Sequence, residues 1–379
     1  MRTYRCTCGN VTFFDNTHCL ACGKELGFCP VCRELATLEP GQNGQYVCGN
    51  SGCGTVLEKC LNYATHQVCN RCVIATEEPG EHLCDCCRFN EVIPDLSVEG
   101  NLQRWYKLEA AKRRLFYDLS ELGLPYGNKD DGIEPELRFD FKGDVIGGND
   151  RWHSVGKAEK VYTSHNNGLI TINIQEADEA EREKLRVDMQ EAHRTLIGHF
   201  RHETGHYYWD MLVKGKREEE CIATFRDHNN PTYDAALKTY YENGPPANWR
   251  DNFVSAYATM HPWEDFAETW AAYLDMVSTL DTAENNGFGG QRESPFADLD
   301  SMVQRYQELG IALNELNRNQ GLLDLVPEVF VPAVITKMRF IHRLVRQGHA
   351  ENGILIAESP PPVEIPAIPA ENPAVVGQV

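Results

Sequence analysis

Apolar residues follow a clear period along most of this chain, but not in its first quarter. Up to about residue 95 the sequence runs in short pieces punctuated by Cys, Gly and Pro, with too few apolar positions for a core of its own. From Asn101 the texture changes. Leu102, Trp105, Leu108, Ala111, Leu115, Tyr117 and Leu119 recur mainly at steps of three and four, which predicts an amphipathic helix stopped at Gly123-Leu124-Pro125. Leu137-Arg-Phe-Asp-Phe alternates as a strand does. So does Leu169-Ile-Thr-Ile-Asn-Ile174, reached through a turn at Asn166-Asn167-Gly168. A charged helix is expected from Ala177, and a more apolar one from about Thr195 to Val213. The stretch 227–246 is mixed, with a helix around 233–241 and a stop at Gly244-Pro245-Pro246. Further helices are expected over 262–280, 295–319 and 332–347. The last residues, from Ser359, carry six prolines and no helical period, which predicts an extended tail. The pattern predicts an α+β protein in three parts. A cysteine-rich module spans 1–95, a mostly helical domain with a small sheet spans 96–350, and a Pro-rich disordered tail spans 351–379.

Composition narrows the function classes. The 379 residues include 42% hydrophobic and 9% aromatic positions, enough for a sizeable core. Against 36 basic residues stand 56 acidic ones, a formal charge of −20, which argues against a nucleic-acid coat or an anionic-membrane binder. No run is long enough to span a membrane, and the chain opens into cysteines without an apolar signal segment, so a cytoplasmic location is expected.

Fourteen of the fifteen cysteines fall between Cys6 and Cys87; only Cys221 lies outside. Paired thiols at short spacing in a reducing compartment point to metal ligands before disulfides. Cys6-x-Cys8 with Cys19-x2-Cys22 forms one set, and Cys29-x2-Cys32 with Cys48-x4-Cys53 a second. Four thiolates suit structural zinc better than an iron–sulfur centre or a redox dithiol. Cys60, Cys69, Cys72, Cys84, Cys86 and Cys87 remain. Spacing favours Cys69-x2-Cys72 with Cys84-x2-Cys87, while Cys60, Cys69, Cys84 and Cys87 form an equally acceptable third zinc set. Metal binding would supply the missing folding energy, roughly 10–16 kcal/mol apparent per structural zinc. Residues 1–95 hold seven Lys or Arg and eleven Asp or Glu, so protein contact or scaffolding is expected of this module, not nucleic-acid binding.

The main chemical signal is His202-Glu203-Thr204-Gly205-His206. On a helix, His202 and His206 lie one turn apart on one face and can hold a single ion, with Glu203 beside them as a general base for water. Leu196, Ile197, Phe200, Tyr207, Met211 and Leu212 make the helix largely buried, where two histidines and a glutamate without a partner would cost several kcal/mol. A catalytic zinc needs a third protein ligand and an open position. Trp209 and Leu212 occupy the places where metzincins need Gly and His, which excludes that class. Glu264 and Glu268, four apart on a helix starting at Pro262, offer one ligand and one acceptor for a ligand's ring N–H.

These residues carry a resemblance. His199-Phe-Arg-His-Glu-Thr-Gly-His-Tyr-Tyr-Trp-Asp and Trp263-Glu-Asp-Phe-Ala-Glu-Thr-Trp resemble bacterial zinc-binding metallopeptidases with an N-terminal zinc ribbon. The likeness runs through most of 1–350 and includes Cys6-Thr-Cys-Gly, Asn16-x2-Cys-Leu-Ala-Cys-Gly and Ile93-Pro-Asp-Leu. It implies a zincin fold and favours Cys60, Cys69, Cys84 and Cys87 as the third ribbon set. The Cys29, Cys32, Cys48 and Cys53 set, with Cys72 and Cys86, departs from the family pattern. A wider resemblance is to gluzincins, including anthrax-lethal-factor-like peptidases. It implies Glu264 as third ligand, Glu268 as support for a ligating histidine, and Tyr257 as oxyanion donor, with His261 the competing donor.

The expectation is a zinc metallopeptidase with one catalytic and about three structural ions, acting on peptide or protein. Leu169–Ile174 is expected to bind substrate backbone as an edge strand. The alternatives are a zinc-dependent hydrolase of another amide or ester, and a non-catalytic zinc-ribbon adaptor. His199 is expected to be a core histidine, and Cys221 an ordinary thiol.

Overall fold

In the computed structural model, residues 1–76, 80, 82–143, 161, 163–188, 194–288, 297–327 and 329–351 are described. The predicted tail lies outside them, apart from Glu351.

The cysteine-rich part is built from pieces too short to show a period in sequence. Strands β1 (Tyr4–Arg5) and β2 (Val11–Thr12) form a small antiparallel pair. Five more strands, β3 (Leu26–Phe28), β4 (Leu35–Pro40), β5 (Tyr46–Cys48), β6 (Val56–Lys59) and β7 (Cys72–Ile74), make a sheet in sequential order with antiparallel neighbours. A single helical turn, α1 (Leu61–Ala64), lies between β6 and β7. Against the sequence expectation, this part holds a small cluster of its own, in which Met1, Tyr4, Phe14, Leu26, Phe28 and Leu35 pack with Tyr117 of the following helix. Its buried Leu57, Tyr63 and Val68 join one apolar cluster that continues through Trp105 and Phe116 to Tyr208, Phe266 and Phe340.

The partner surface for that continuity is α2 (Asn101–Glu121), the predicted amphipathic helix. Its Trp105, Leu108, Leu115 and Leu119 are fully buried, but so are Glu109, Lys112 and Arg113. Charged residues are seldom buried unless paired, and these are. Glu109 accepts from Asn90 Nδ2 at 2.6 Å and Trp105 Nε1 at 3.0 Å, and pairs with Lys112 Nζ at 3.0 Å. Arg113 donates to the Val68 carbonyl at 2.6 Å. The helix therefore ties the cysteine-rich part to the rest of the molecule by charge as well as by apolar packing.

The second sheet has the order β10 (Ser164–Asn166), β11 (Leu169–Asn173), β9 (Arg138–Lys142), β8 (Asn90–Val92). β10 and β11 are antiparallel, whereas β11 with β9 and β9 with β8 are parallel. This corrects the expected substrate edge. Leu169–Asn173 is interior, paired with β9 along its length and with β10 over Leu169–Thr171. Among the described residues, the outer strand on that side is β10. The alternating pattern identified the strand, but an edge depends on partners, and β9 lies some thirty residues earlier.

Helices account for the body: α3 (Glu179–Asp188), α4 (Leu196–Leu212), α5 (Glu218–Phe225), α6 (Tyr233–Asn243), α7 (Pro262–Asn285), α8 (Leu299–Asn319) and α9 (Pro332–Glu351). The sequence reading found each of these except α5. None of the described helices is long and apolar enough to cross a membrane. α4 is the central one. Thr195 caps its start by accepting the Gly198 N–H at 3.0 Å. Arg201 then pairs with Asp118 of α2 at 3.1 Å and Asp275 of α7 at 2.8 Å, while Tyr306 of α8 donates to Asp275 at 2.8 Å. Four helices thus share one polar network beside the His202–His206 turn.

Candidate functional site

Three groups of four cysteines converge: Cys6, Cys8, Cys19 and Cys22; Cys29, Cys32, Cys48 and Cys53; and Cys60, Cys69, Cys84 and Cys87. The Sγ separations are 3.6 Å for Cys6–Cys22, 3.7 Å for Cys8–Cys19, and 3.8 Å for Cys29–Cys53, Cys32–Cys48 and Cys69–Cys84. A tetrahedron of thiolates at the usual zinc–sulfur distance of about 2.3 Å has an edge of about 3.8 Å. The donor set and its spacing therefore fit zinc, and the geometry selects the Cys60 grouping over one using Cys72. The Cys29, Cys32, Cys48 and Cys53 set is as well formed as the others. Cys72 and Cys86 fall outside the clusters and are buried. The clusters differ in setting. Cys8 and Cys22 of the first are exposed, whereas all four thiols of the third are buried beside Glu109, Lys112 and Arg113.

A fourth group forms where α4 crosses α7: His202, His206 and Glu264, whose ligand atoms all lie within 4.8 Å of one another. The crossing is close because Gly205 faces Ala267; a Cβ on Gly205 would lie 2.8 Å from the Ala267 Cα. Glu264 Oε2 is 3.1 Å from His202 Nε2 and 3.4 Å from His206 Nε2, and has no other hydrogen-bond partner among the described residues. A buried carboxylate oxygen aimed between two imidazoles suits a divalent ion with nitrogen and oxygen ligands, such as zinc. Burial alone would raise the Glu264 carboxyl, but the charge of His206 and the hydrogen bonds from His202 and His206 hold it well below the usual range.

The surrounding residues fix the rings. His202 Nδ1 meets Glu268 Oε1 at 2.5 Å, so Glu268 orients the imidazole from behind. Trp263 stacks on His206 with centroids 3.6 Å apart, and His165 of β10 lies beside the pair, 6.0 Å from His206 and 6.3 Å from Trp263. Glu203 is buried beside the group; desolvation pushes its carboxyl above the usual range, with His202 and His206 pulling the other way. His199 is part-buried against Glu176, its Nδ1 3.4 Å from Glu176 Oε2.

The two expected oxyanion donors are placed differently. Tyr257 begins a short 3-10 turn, its ring 6.2 Å from that of His202. His261 caps α7, its Nδ1 accepting the Trp263 N–H at 3.1 Å, with Pro262 at the first helical position. That bond commits one ring nitrogen to the helix. Sequence reasoning missed Tyr233, the first residue of α6, which donates to Glu264 Oε1 at 2.8 Å. No motif marks it; it lies 31 positions before its partner in a stretch of mixed character.

Comparison with known proteins matches two successive parts of the chain. Residues 3–98 match a zinc-ribbon domain. The uncharacterised protein Mb2598c of Mycobacterium bovis and the uncharacterised proteins MT2644 and Rv2568c of Mycobacterium tuberculosis are each 35% identical over 356 residues, covering 91% of this chain and 95% of theirs. No solved structure matches the chain. Residues 101–344, the greater part of the chain, match the family described as "Putative zinc-binding metallo-peptidase", and the chain belongs to that family.

Proposed function

We propose that this protein hydrolyses peptide bonds at the site formed by His202, His206 and Glu264, with Glu203 as general base. The carrying observation is the convergence of those three groups beside a buried Glu203. Zinc held by these residues would polarise the scissile carbonyl and make a bound water acidic near neutral pH. Glu203, with its carboxyl raised by burial, is suited to accept a proton from water and deliver it to the leaving amine. Tyr257, close to His202, supplies a hydroxyl for the developing oxyanion; His261, whose Nδ1 accepts the Trp263 N–H and so leaves Nε2–H as its donor, is the competing choice. The substrate backbone adds to β10 at Ser164–Asn166, the outer strand among the described residues, next to His206.

The ribbon part serves for protein contact. Its first cluster carries Phe13 at 58% and Leu20 at 85% exposure, apolar side chains turned to solvent. A protein with so many thiolates is best kept in a reducing cytoplasm. The test is Glu203→Gln. Cleavage of an unfolded protein substrate should fall about 10²–10⁴-fold with zinc content unchanged. Undiminished cleavage would refute the assignment.

A further inference from the structure

Glu264 divides its two oxygens between different tasks. Oε2 faces both imidazoles, whereas Oε1 accepts the Tyr233 hydroxyl at 2.8 Å. We infer that Tyr233 is a positioning residue that keeps Glu264 a one-oxygen metal ligand and so keeps the remaining coordination position free for water and substrate. The inference rests on the zinc-site reading above. A carboxylate can bind a metal through one oxygen or both, and zinc in a hydrolytic site works with three protein ligands and an open place. An O–H donated to Oε1 occupies one of that oxygen's two lone pairs and fixes the carboxylate plane, which disfavours turning Oε1 onto the ion.

Tyr233 is itself held. Its ring packs edge-on against His261 at 5.3 Å and Trp263 at 5.8 Å, the residues on either side of Pro262 at the start of α7. The His261 ring is immobilised by its capping bond, and Trp263 by its stack on His206. The donor and acceptor are thus referred to the same helix end, although Tyr233 enters from α6. Tyr233 therefore fixes the resting position of the ligand carboxylate.

The test uses the full chain with the ribbon zincs retained and cobalt(II) loaded into the His202/His206/Glu264 site alone. Visible cobalt absorption weakens as coordination number rises. Tyr233→Phe should weaken it, because the freed Oε1 turns onto the ion; Tyr257→Phe should leave it at the wild-type level. A merely structural role for Tyr233 would not produce that difference. With zinc, Tyr233→Phe should lower kcat about 10–100-fold with KM little changed. Wild-type cobalt absorption in Tyr233→Phe would overturn the inference while leaving the zinc-site reading intact. If His206→Ala bound as many ions as the wild type by native mass spectrometry, the zinc-site reading would fall, and the Tyr233 inference with it.

Discussion

Replacing Gly205 by alanine separates the stability of the protein from the geometry of its site. Gly205 lies between His202 and His206 on the face of α4 that meets α7. An added Cβ would lie 2.8 Å from the Ala267 Cα and 3.2 Å from the Ala267 Cβ and carbonyl oxygen. Carbon atoms in contact settle at about 3.5–4.0 Å, so the helices must part by about 0.7 Å or more. The obstacle is backbone, not the end of a flexible side chain. Alanine in place of glycine favours the helix by about 1 kcal/mol, while overpacking costs about 1–3 kcal/mol. The net loss is about 0–2 kcal/mol, and the protein stays folded at 25 °C. Metal–ligand distances, by contrast, tolerate only about 0.2 Å. The two histidines ride on α4 and Glu264 on α7, so the separation falls directly on the ligand set. Thermal melting together with zinc titration against a chromophoric chelator should show a small fall in melting temperature and loss of the His-site ion, with the ribbon ions retained. A variant that binds that ion with wild-type affinity would refute the claim that the α4–α7 approach sets the site.

Two further substitutions test the supports around the clusters. Glu268→Ala removes the acceptor behind His202 and should weaken zinc binding at the His202/His206/Glu264 site about 10–100-fold in the same chelator titration; unchanged affinity would show that Glu268 does not orient the ring. Lys112→Met leaves Glu109 buried without its cation next to the third cysteine cluster, and should cost about 3–5 kcal/mol in urea unfolding. Adding Glu109→Gln should recover much of that loss, and a single-variant loss below about 1 kcal/mol would refute the pairing.

Much of the fold could be read from local pattern. The apolar spacing of α2, α4 and α7 is a property of each helix alone, and places Trp105, Phe200 and Phe266 in the core without reference to any neighbour. The five-stranded sheet could not be read in this way. Its strands are only 3 to 6 residues long, too short for alternation to register, and they lie between turns that bring cysteines together. Helix α5 follows α4 closely and shows no separate period.

The sequence by itself determined the chemistry available: the cysteine sets, the two histidines one turn apart, Glu203 beside them, and glutamates four apart after Pro262. Tertiary structure decided which of these groups meet and in what geometry. It chose Cys60 over Cys72, set Leu169–Asn173 inside the sheet between β9 and β10, committed one nitrogen of His261 to a helix cap, and brought Tyr233 to Glu264. The physical reason is range. Hydrophobic periodicity and ligand spacing act over one or two turns of chain. Strand pairing, helix crossing and the filling of a carboxylate's second oxygen depend on residues that only folding brings within a few ångströms.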